Sequence, residues 1–200
     1  MLDIAPDVVA ALRDAVPGGV LTAAEDLIAY GFDGTFYSHT PPLVVLPATT
    51  AQVSAVHRIA SARRIALTPR AMGSGLSGGA VPLAGSIVLG VARMDRIIEI
   101  DPIDRVAVVE AGVINARLQR EVERLGLFYP PDPSSLKQSA IGGNVAENAG
   151  GPHCLKYGVT LNHVLAATVV LPGGELWGAA GVAGGCGGAG VVAGVCCGGG

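Results

Sequence analysis

Cysteine is scarce in most of this chain of 200 residues, because three of its four cysteines lie after Trp177 and only Cys154 lies before it. A single cysteine cannot form a disulfide framework, which favours a reducing compartment. Basic charge is also scarce. The chain has 13 Lys and Arg against 16 Asp and Glu, a formal net charge of −3, and this excludes the electrostatic surface that a nucleic-acid partner requires.

Long apolar runs and a secretory leader are missing as well. The first 177 residues contain no stretch apolar enough to span a bilayer, and residues 1–17 carry Asp3, Asp7 and Asp14 with no basic segment before an apolar run. We therefore expect a cytoplasmic protein without a membrane span. Half of the residues are hydrophobic and 14% are charged, which is sufficient for a sizeable folded core.

Glycine is the residue in excess, with 30 residues that form two populations. Eleven of them lie in the tail, residues 178–200, which otherwise holds only Ala, Val and Cys. This composition predicts a low-complexity segment that is disordered or the product of a reading-frame error. Its cysteines, Cys186, Cys196 and Cys197, lack the C-x-x-C spacing of a metal or iron–sulfur site, so no metal is expected.

Hydrophobic periodicity predicts helices and strands in one fold. The expected helices are 7–16, 49–64 and 115–125, and the expected strands are 43–46, 65–68, 87–91, 97–100, 106–109 and 164–171, with a return strand starting at 175. The strand, helix, strand order of residues 43–68 implies a parallel pair, and the short turn at 101–105 implies an antiparallel hairpin. Residues 142–158 lack periodicity and are expected to form a loop.

The segment after the strand at 65–68 is rich in glycine. Residues 69–79, PRAMGSGLSGG, carry Gly73, Gly75 and Gly78 at G-x-G-x-x-G spacing, a weak signal that a flexible surface turn also satisfies. A Rossmann unit is excluded, because residues 80–86 are too few for its crossover helix. What remains is a strand, glycine loop, strand unit whose backbone N–H groups can form a nest for a pyrophosphate.

Two further segments are typical of backbone that lies close to a ligand. Residues 131–135, PDPSS, place two prolines around an acid and present serine hydroxyls, and residues 141–151, IGGNVAENAGG, contain two glycine pairs. Each segment taken singly is consistent with a plain loop. Three such segments with few charges predict one extended ligand, and a dinucleotide has that shape.

In combination these motifs resemble the FAD-linked oxidases of the vanillyl-alcohol oxidase and p-cresol methylhydroxylase (PCMH) type, most closely the flavin subunit of glycolate oxidase and D-2-hydroxyacid dehydrogenases. The resemblance covers residues 26–177 and includes YGFDG at 30–34, ARMDRI at 92–97 and HCLKYG at 153–158. It implies an α+β fold, a PCMH-type FAD-binding domain of two α+β subdomains with the cofactor between them, truncated at its C-terminal end. Residues 1–38 would be a helical extension, 39–177 the incomplete domain and 178–200 the tail.

The resemblance also implies a site. The glycine loop would hold the pyrophosphate, and the later segments would line the ribityl and isoalloxazine portion. The implied cofactor-binding residues are Arg70, Ala71, Met72, Gly73, Ser74, Gly75, Leu76, Ser77, Pro131, Asp132, Ser134, Ser135, Gly142, Gly143, Asn144, Ala149, Gly150, Tyr157 and Gly158. Some relatives attach the flavin through a histidine in this loop, and this loop has none, so non-covalent FAD is expected.

The implied activity is oxidation of a D-2-hydroxy acid such as glycolate or D-lactate, with hydride transfer to the flavin and electrons leaving to an iron–sulfur or other acceptor subunit. The family's proposed base lies beyond the part that matches, so the catalytic residue is unknown. Among the histidines only His153 lies beside the expected flavin ring, and His39, His57 and His163 are expected to be structural or exposed. The alternative is a flavin-binding fragment without turnover that needs a missing substrate domain.

Overall fold

The computed structural model of the chain describes residues 4–180, 192–196 and 198–199. Short helices and strands alternate along it. In chain order the elements are α1 (Pro6–Ala15), β1 (Val20–Leu21), α2 (Ala24–Ile28), β2 (Val44–Val45), α3 (Thr50–Ala62), β3 (Leu67–Arg70), β4 (Ile87–Gly90), β5 (Ile97–Asp101), β6 (Val106–Glu110), α4 (Asn115–Glu123), β7 (Leu127–Phe128), α5 (Ile141–Glu147), α6 (Cys154–Tyr157), a 3-10 turn (Thr160–His163), β8 (Val164–Val170), β9 (Leu176–Ala180), β10 (Val192–Cys196) and β11 (Gly198–Gly199). None of the described helices has the length and hydropathy of a membrane span.

The first sheet has four strands in the order β1-β2-β4-β3. β4 runs parallel to both neighbours, so that Val88 lies in register with Val44 on one side and Thr68 on the other. The prediction of a direct parallel pair between the strands that flank α3 is therefore wrong. β4 takes the central place because all four of its residues are buried, and the middle of a covered parallel sheet is where an apolar strand loses its contact with water.

The second sheet has five antiparallel strands in the order β5-β6-β10-β8-β9. The predicted hairpin is confirmed as β5 and β6, with Asp101 opposite Val106. Its turn is fixed by the Asp101 carboxylate, which accepts the N–H groups of Ile103 and Asp104. The predicted return strand is confirmed as β9, which pairs with β8.

Two stretches of the glycine-rich tail are strands. β10 lies between β6 and β8, with Val192 opposite both Glu110 and Thr168, and β11 pairs with β7. Residues 181–191, 197 and 200 lie outside the described residues, and Cys186 and Cys197 are among them. The expectation for the tail as a whole remains a prediction.

Helices α1, α3 and α4 supply apolar faces to one core. The predicted helix at 49–64 is confirmed as α3, whose N-terminus is capped by the Thr49 hydroxyl as it accepts the Gln52 N–H. Val53 and Val56 are buried on its inner face. α1 adds Leu12 to the same core. The part N-terminal to residue 39 thus packs on the first sheet through α1 and β1, while the domain boundary at that point remains a prediction.

The loop prediction for residues 142–158 is wrong, because this segment contains most of α5 and all of α6. Two glycines in the first turn of α5 weaken its helix propensity, which hides the helix in the sequence. Packing decides the conformation. A Cβ on Gly142 would lie 2.7 Å from the Cβ and 2.9 Å from the carbonyl oxygen of Ala111, so only glycine lets α5 approach the end of β6 this closely.

Glu110 ends β6 as a buried carboxylate paired with Arg96. The Arg96 guanidinium donates to Oε1 at 2.7 and 3.1 Å, and the Arg96 backbone N–H donates to Oε2 at 2.8 Å. Burial opposes ionisation of Glu110, but these hydrogen bonds outweigh it, so its pKa lies below the ordinary value. Because the pKa is lower in the folded chain, this group stabilises the fold above its unfolded pKa, and the stabilisation is lost as pH falls through the folded pKa.

We expect Glu110→Gln to lower the free energy of unfolding at pH 7 by about 1–2 kcal/mol, because the buried acceptor loses its charge. The dependence of stability on pH below about 4.5 should also become shallower than in the wild type, since one linked proton is removed. Urea unfolding from pH 3 to 7 measures both. Glu121→Gln, which breaks the exposed pair with Arg124, is the matched control and should cost less than about 0.5 kcal/mol. Equal costs for the two variants would contradict the expectation.

Candidate functional site

A cavity of about 410 Å³ lies between the glycine loop on one side and the end of β6 with α5 on the other. This volume is in the range of about 300–1,000 Å³ that small-molecule sites occupy. The lining residues are Asp33, Pro69, Arg70, Ala71, Met72, Gly73, Ser74, Gly75, Ser77, Gly79, Ala80, Val91, Ala111, Ser135, Ser139, Ala140, Gly142, Gly143, Asn144, Ala146, Glu147 and Ala149.

The glycine loop brings unpaired backbone donors to this cavity. It connects β3 to β4 without a helix, which confirms the exclusion of a Rossmann crossover. Within the described residues, none of the backbone N–H groups from Ala71 to Ser77 donates a hydrogen bond. Buried or half-buried N–H groups are nearly always paired, and successive unpaired ones form a concave site for an anion.

Arg70 fixes the start of the loop from behind. Its side chain is buried, and the guanidinium donates to the carbonyl oxygens of Phe32 at 2.6 Å, Ala80 at 3.2 Å and Ala29 at 3.3 Å. The group also lies over the Tyr30 ring, 5.8 Å from its centroid. Burial lowers the pKa of Arg70, against the opposing influence of Tyr30 and Asp33. The arginine thereby ties the YGFDG segment to both ends of the glycine loop.

Asp33 is the acid of the YGFDG segment and lies on the cavity wall, 7% exposed. One oxygen, Oδ1, accepts the N–H of Thr35 at 2.8 Å and its hydroxyl at 2.6 Å. Burial opposes ionisation, but the bonds from Thr35, the Gly78 N–H and the charge of Arg70 outweigh it and lower the pKa of Asp33. The second oxygen, Oδ2, is buried and makes no hydrogen bond of ordinary geometry within the described residues.

The opposite wall is formed by α5 and the turn before it. A Cβ on Gly143 would lie 3.1 Å from the Cβ of Ala71, so the two walls approach closely where this glycine stands. Ser139 lines the cavity, and its hydroxyl is buried without a hydrogen-bond partner among the described residues. Glu147 bridges the walls, since the Ser77 hydroxyl donates to its Oε1 at 2.9 Å.

The structure brings together residues from all three predicted segments. Of the predicted site residues, the cavity is lined by Arg70, Ala71, Met72, Gly73, Ser74, Gly75, Ser77, Ser135, Gly142, Gly143, Asn144 and Ala149. Those that do not line it are Leu76, Pro131, Asp132, Ser134, Gly150, Tyr157 and Gly158. Among the latter, Asp132 supports the neighbouring turn, because its carboxylate accepts the backbone N–H of His153 at 3.1 Å and lies 3.0 Å from the His153 ring nitrogen Nδ1.

Sequence reasoning missed three polar residues of the cavity wall, Asp33, Ser139 and Glu147. The YGFDG motif around Asp33 was visible as part of the resemblance, but nothing local shows that it folds back onto a loop forty residues later. Ser139 and Glu147 flank the predicted IGGN segment; Ser139 lies in the turn before α5 and Glu147 is the last residue of α5, and both line the cavity.

The histidines of the chain lie away from the described cavity wall. No histidine lines the cavity, and His153 stands outside it beside Phe128 and Tyr157, whose rings it meets edge to face. His57 is buried, as a structural role requires, and this burial lowers its pKa. Among the described residues there is no cluster of three His, Cys, Asp or Glu that could hold a metal ion.

Comparison with known proteins gives this cavity a context. The family model described as "FAD binding domain" matches residues 41–180. The chain is 45% identical over 170 residues to the glycolate oxidase subunit GlcD of Escherichia coli, covering 84% of this chain and 34% of the relative. It is 42% identical over 161 residues to D-2-hydroxyglutarate dehydrogenase of Stutzerimonas stutzeri, covering 80% of this chain and 35% of the relative.

A solved structure of p-cresol methylhydroxylase with substrate bound superposes with a TM-score of 0.82 at 22% identity, over 96% of this chain and 43% of that one. At this identity the likeness shows the fold, and it confirms the predicted PCMH-type architecture. The chain spans about a third of the length of the curated relatives it matches. The matched family model and the identities together show that the chain belongs to the FAD binding domain family, with FAD as the cofactor.

Proposed function

We propose that the cavity between the glycine loop and α5 binds FAD non-covalently, with the pyrophosphate against the backbone of residues 71–77. The observation that carries this proposal is the run of N–H groups from Ala71 to Ser77 that donate no hydrogen bond within the described residues. A pyrophosphate carries acceptor oxygens and negative charge, which suit such a nest. The loop offers Met72 and Ser74 and no histidine, which supports non-covalent binding.

The other cavity groups suit the remainder of a dinucleotide. Asp33 and Ser139 are polar residues of the cavity wall, and Asp33 Oδ2 and Ser139 Oγ make no hydrogen bond of ordinary geometry among the described residues. A ligand hydroxyl or N–H that reaches them would satisfy an otherwise unpaired group. Gly142 and Gly143 have no side chains, so the backbone of α5 itself can approach a ligand at the opposite wall. The predicted residues outside the cavity, from Pro131 and Asp132 to Tyr157 and Gly158, remain predicted contacts of the isoalloxazine end.

The first experiment separates the pyrophosphate from the flavin ring. FAD should bind the chain at least about tenfold more tightly than riboflavin, because several charge-assisted hydrogen bonds are lost with the phosphates. ADP and inorganic pyrophosphate should displace FAD, as followed by flavin fluorescence. After acid precipitation the yellow colour should stay in the supernatant. Riboflavin binding as tight as FAD would contradict the phosphate nest, and colour in the pellet would contradict non-covalent attachment.

We further propose that the complete protein oxidises a small D-2-hydroxy acid such as glycolate or D-lactate. The names of the relatives, a glycolate oxidase subunit and a D-2-hydroxyglutarate dehydrogenase, support this substrate class. Bound FAD would supply a two-electron acceptor for the hydrogen at C2. The residues of this chain would bind and orient it and exclude water from one side, and none of the described cavity residues is assigned as the base.

The alternative is a flavin-binding part that does not turn over by itself. Adding FAD, a hydroxy acid and a dye acceptor distinguishes the two possibilities. Dye reduction above the rate with free FAD supports an active chain, and FAD binding without dye reduction supports the alternative.

An iron–sulfur or other electron-acceptor subunit is the proposed partner, as the name "subunit" of the E. coli relative suggests. The cytoplasm is the proposed location.

A further inference from the structure

A row of side-chain amides leads from a backbone carbonyl to the cavity wall. Asn115, the first residue of α4, is fully buried, and its Nδ2 donates to the Pro131 carbonyl oxygen at 3.0 Å. Its Oδ1 accepts from Nδ2 of Asn144 at 3.0 Å. Asn144 is 3% exposed, stands in α5 and lines the cavity. Asn115 itself does not line the cavity, so any influence it has on a ligand passes through Asn144.

The Pro131 carbonyl dictates the direction of every hydrogen bond in this row. A carbonyl oxygen can only accept, so Asn115 must turn its NH₂ group towards Pro131 and its oxygen towards Asn144. Asn144 must then present its own NH₂ group to Asn115. Turning either amide over would place two oxygens or two NH₂ groups face to face. Gln119 Nε2, which also donates to the Pro131 carbonyl at 3.0 Å, strengthens its role as the fixed acceptor.

This direction leaves one atom of Asn144 uncommitted. Its oxygen Oδ1 accepts no hydrogen bond within the described residues, while its NH₂ group is held by Asn115. We propose that Asn115 is a positioning residue that fixes the orientation of the Asn144 amide, so that a ligand must present a donor, an O–H or N–H, to Asn144 Oδ1. The inference rests on the proposed binding of FAD and adds the polarity of one contact.

The polarity constrains how FAD can lie. Its donors are the hydroxyls of the ribityl chain and the ribose, the adenine amino group and the N–H of the flavin ring, whereas the pyrophosphate at neutral pH carries only acceptors. A phosphate oxygen next to Asn144 Oδ1 would repel it. The pyrophosphate is therefore not expected against Asn144 Oδ1, which agrees with its proposed place on the glycine loop.

The variant Asn115→Asp tests the row, because an aspartic acid has the same shape and its protonation restores the missing donor. At pH 8 the carboxylate could still accept from Asn144, but its other oxygen would face the Pro131 carbonyl oxygen and be repelled by it. The side chain should therefore shift, carry Asn144 out of place and raise the dissociation constant for FAD by about tenfold or more. Burial raises the pKa of such a carboxyl, so at pH 5.5 the protonated form should donate to Pro131 and return the constant to within about threefold of the wild type.

The matched control is Asn162→Asp, the same chemical change at an exposed site. Asn162 uses only its oxygen, which accepts the Val159 N–H, so an aspartate there keeps the bond and should bind FAD as the wild type does at both pH values. An Asn115→Asp variant that follows the wild type at both pH values, or stays equally weak at both, overturns the proposal. Failure of the wild type to bind FAD would instead refute the proposed function.

A second measurement needs no variant and no cofactor. The chain contains four asparagines, so ¹⁵N-asparagine labelling gives four side-chain NH₂ groups, each seen as a pair of signals in an NMR spectrum. The buried amides of Asn115 and Asn144 donate hydrogen bonds and should exchange slowly with solvent, whereas those of the exposed Asn148 and Asn162 should exchange fast. Four amides that all exchange fast would overturn the proposed row even if FAD binds.

Discussion

Replacing Arg70 with methionine should lower the free energy of unfolding by about 3–5 kcal/mol and remove measurable binding of FAD, because three carbonyl oxygens lose a buried charged donor at once. Those carbonyls belong to Ala29, Phe32 and Ala80, so the YGFDG segment and the end of the glycine loop would both be released. Methionine fills much of the same volume, which limits the loss to hydrogen bonds and charge. Chemical unfolding and titration with FAD measure the two effects.

Arg93→Met is the matched control, since the Arg93 guanidinium also donates to a backbone carbonyl, that of Leu46 at 3.0 Å, but from an exposed position. It should cost less than about 1 kcal/mol and leave the affinity for FAD unchanged. Arg70→Lys should fall between the two, because one ammonium cannot reach three carbonyls spaced for a planar guanidinium. An Arg70→Met variant as stable as Arg93→Met would refute the anchoring role.

The second large effect is expected from Gly73→Ala. Gly73 has a φ of +66°, and a Cβ there would clash with the Arg70 guanidinium. The left-handed backbone costs about 1–2 kcal/mol for alanine, and displacing the guanidinium costs at least one more charged hydrogen bond, about 1.5–3 kcal/mol. We expect the affinity for FAD to fall by about 100-fold, equivalent to roughly 2.7 kcal/mol, as the loop moves off its anchor.

Gly18→Ala separates the two contributions. Gly18 has the same φ of +66°, but a Cβ there meets nothing within 4 Å, so alanine at this position introduces backbone strain and no steric clash. It should lose about 1–2 kcal/mol of stability and keep the affinity of the wild type for FAD. If Gly73→Ala costs no more than Gly18→Ala, the contact with Arg70 does not hold the loop in place.

Local patterns were sufficient for several of the helices and strands. The helical periodicity of residues 49–64 and the turn chemistry of residues 101–105 each depend on neighbours in sequence. The structure has α3 and the β5–β6 hairpin where those patterns predict them. The absence of a Rossmann helix followed from chain length alone, because seven residues cannot make a crossover helix.

The failures have a common origin in contacts between distant segments. β4 lies between β2 and β3 because the free energy gained by burying its four residues exceeds that of pairing the two strands that are nearest in sequence. The hydrophobic pattern along the chain indicates where a strand lies but not which strands are its neighbours in the sheet. α5 was missed because its glycines look unfavourable until Ala111 is seen behind Gly142. Asp33 was not assigned to the cavity because its place there depends on contacts with Thr35 and with the distant Arg70, and the spacing of residues in the sequence does not reveal the second of these.

The sequence by itself determined the type of backbone that the site needs. Close approach of the main chain to an extended ligand is indicated by the glycines at residues 73–79 and 142–143, by the absence of a helix between 80 and 86 and by the scarcity of charge. These features are properties of composition and length, so the sequence alone shows them. Only the tertiary structure decided which atoms face the cavity. The direction of the Asn115–Asn144 bond is set by the carbonyl of Pro131, and the shape of the glycine loop is set by a guanidinium that joins three segments, because hydrogen-bond partners are chosen by three-dimensional distance.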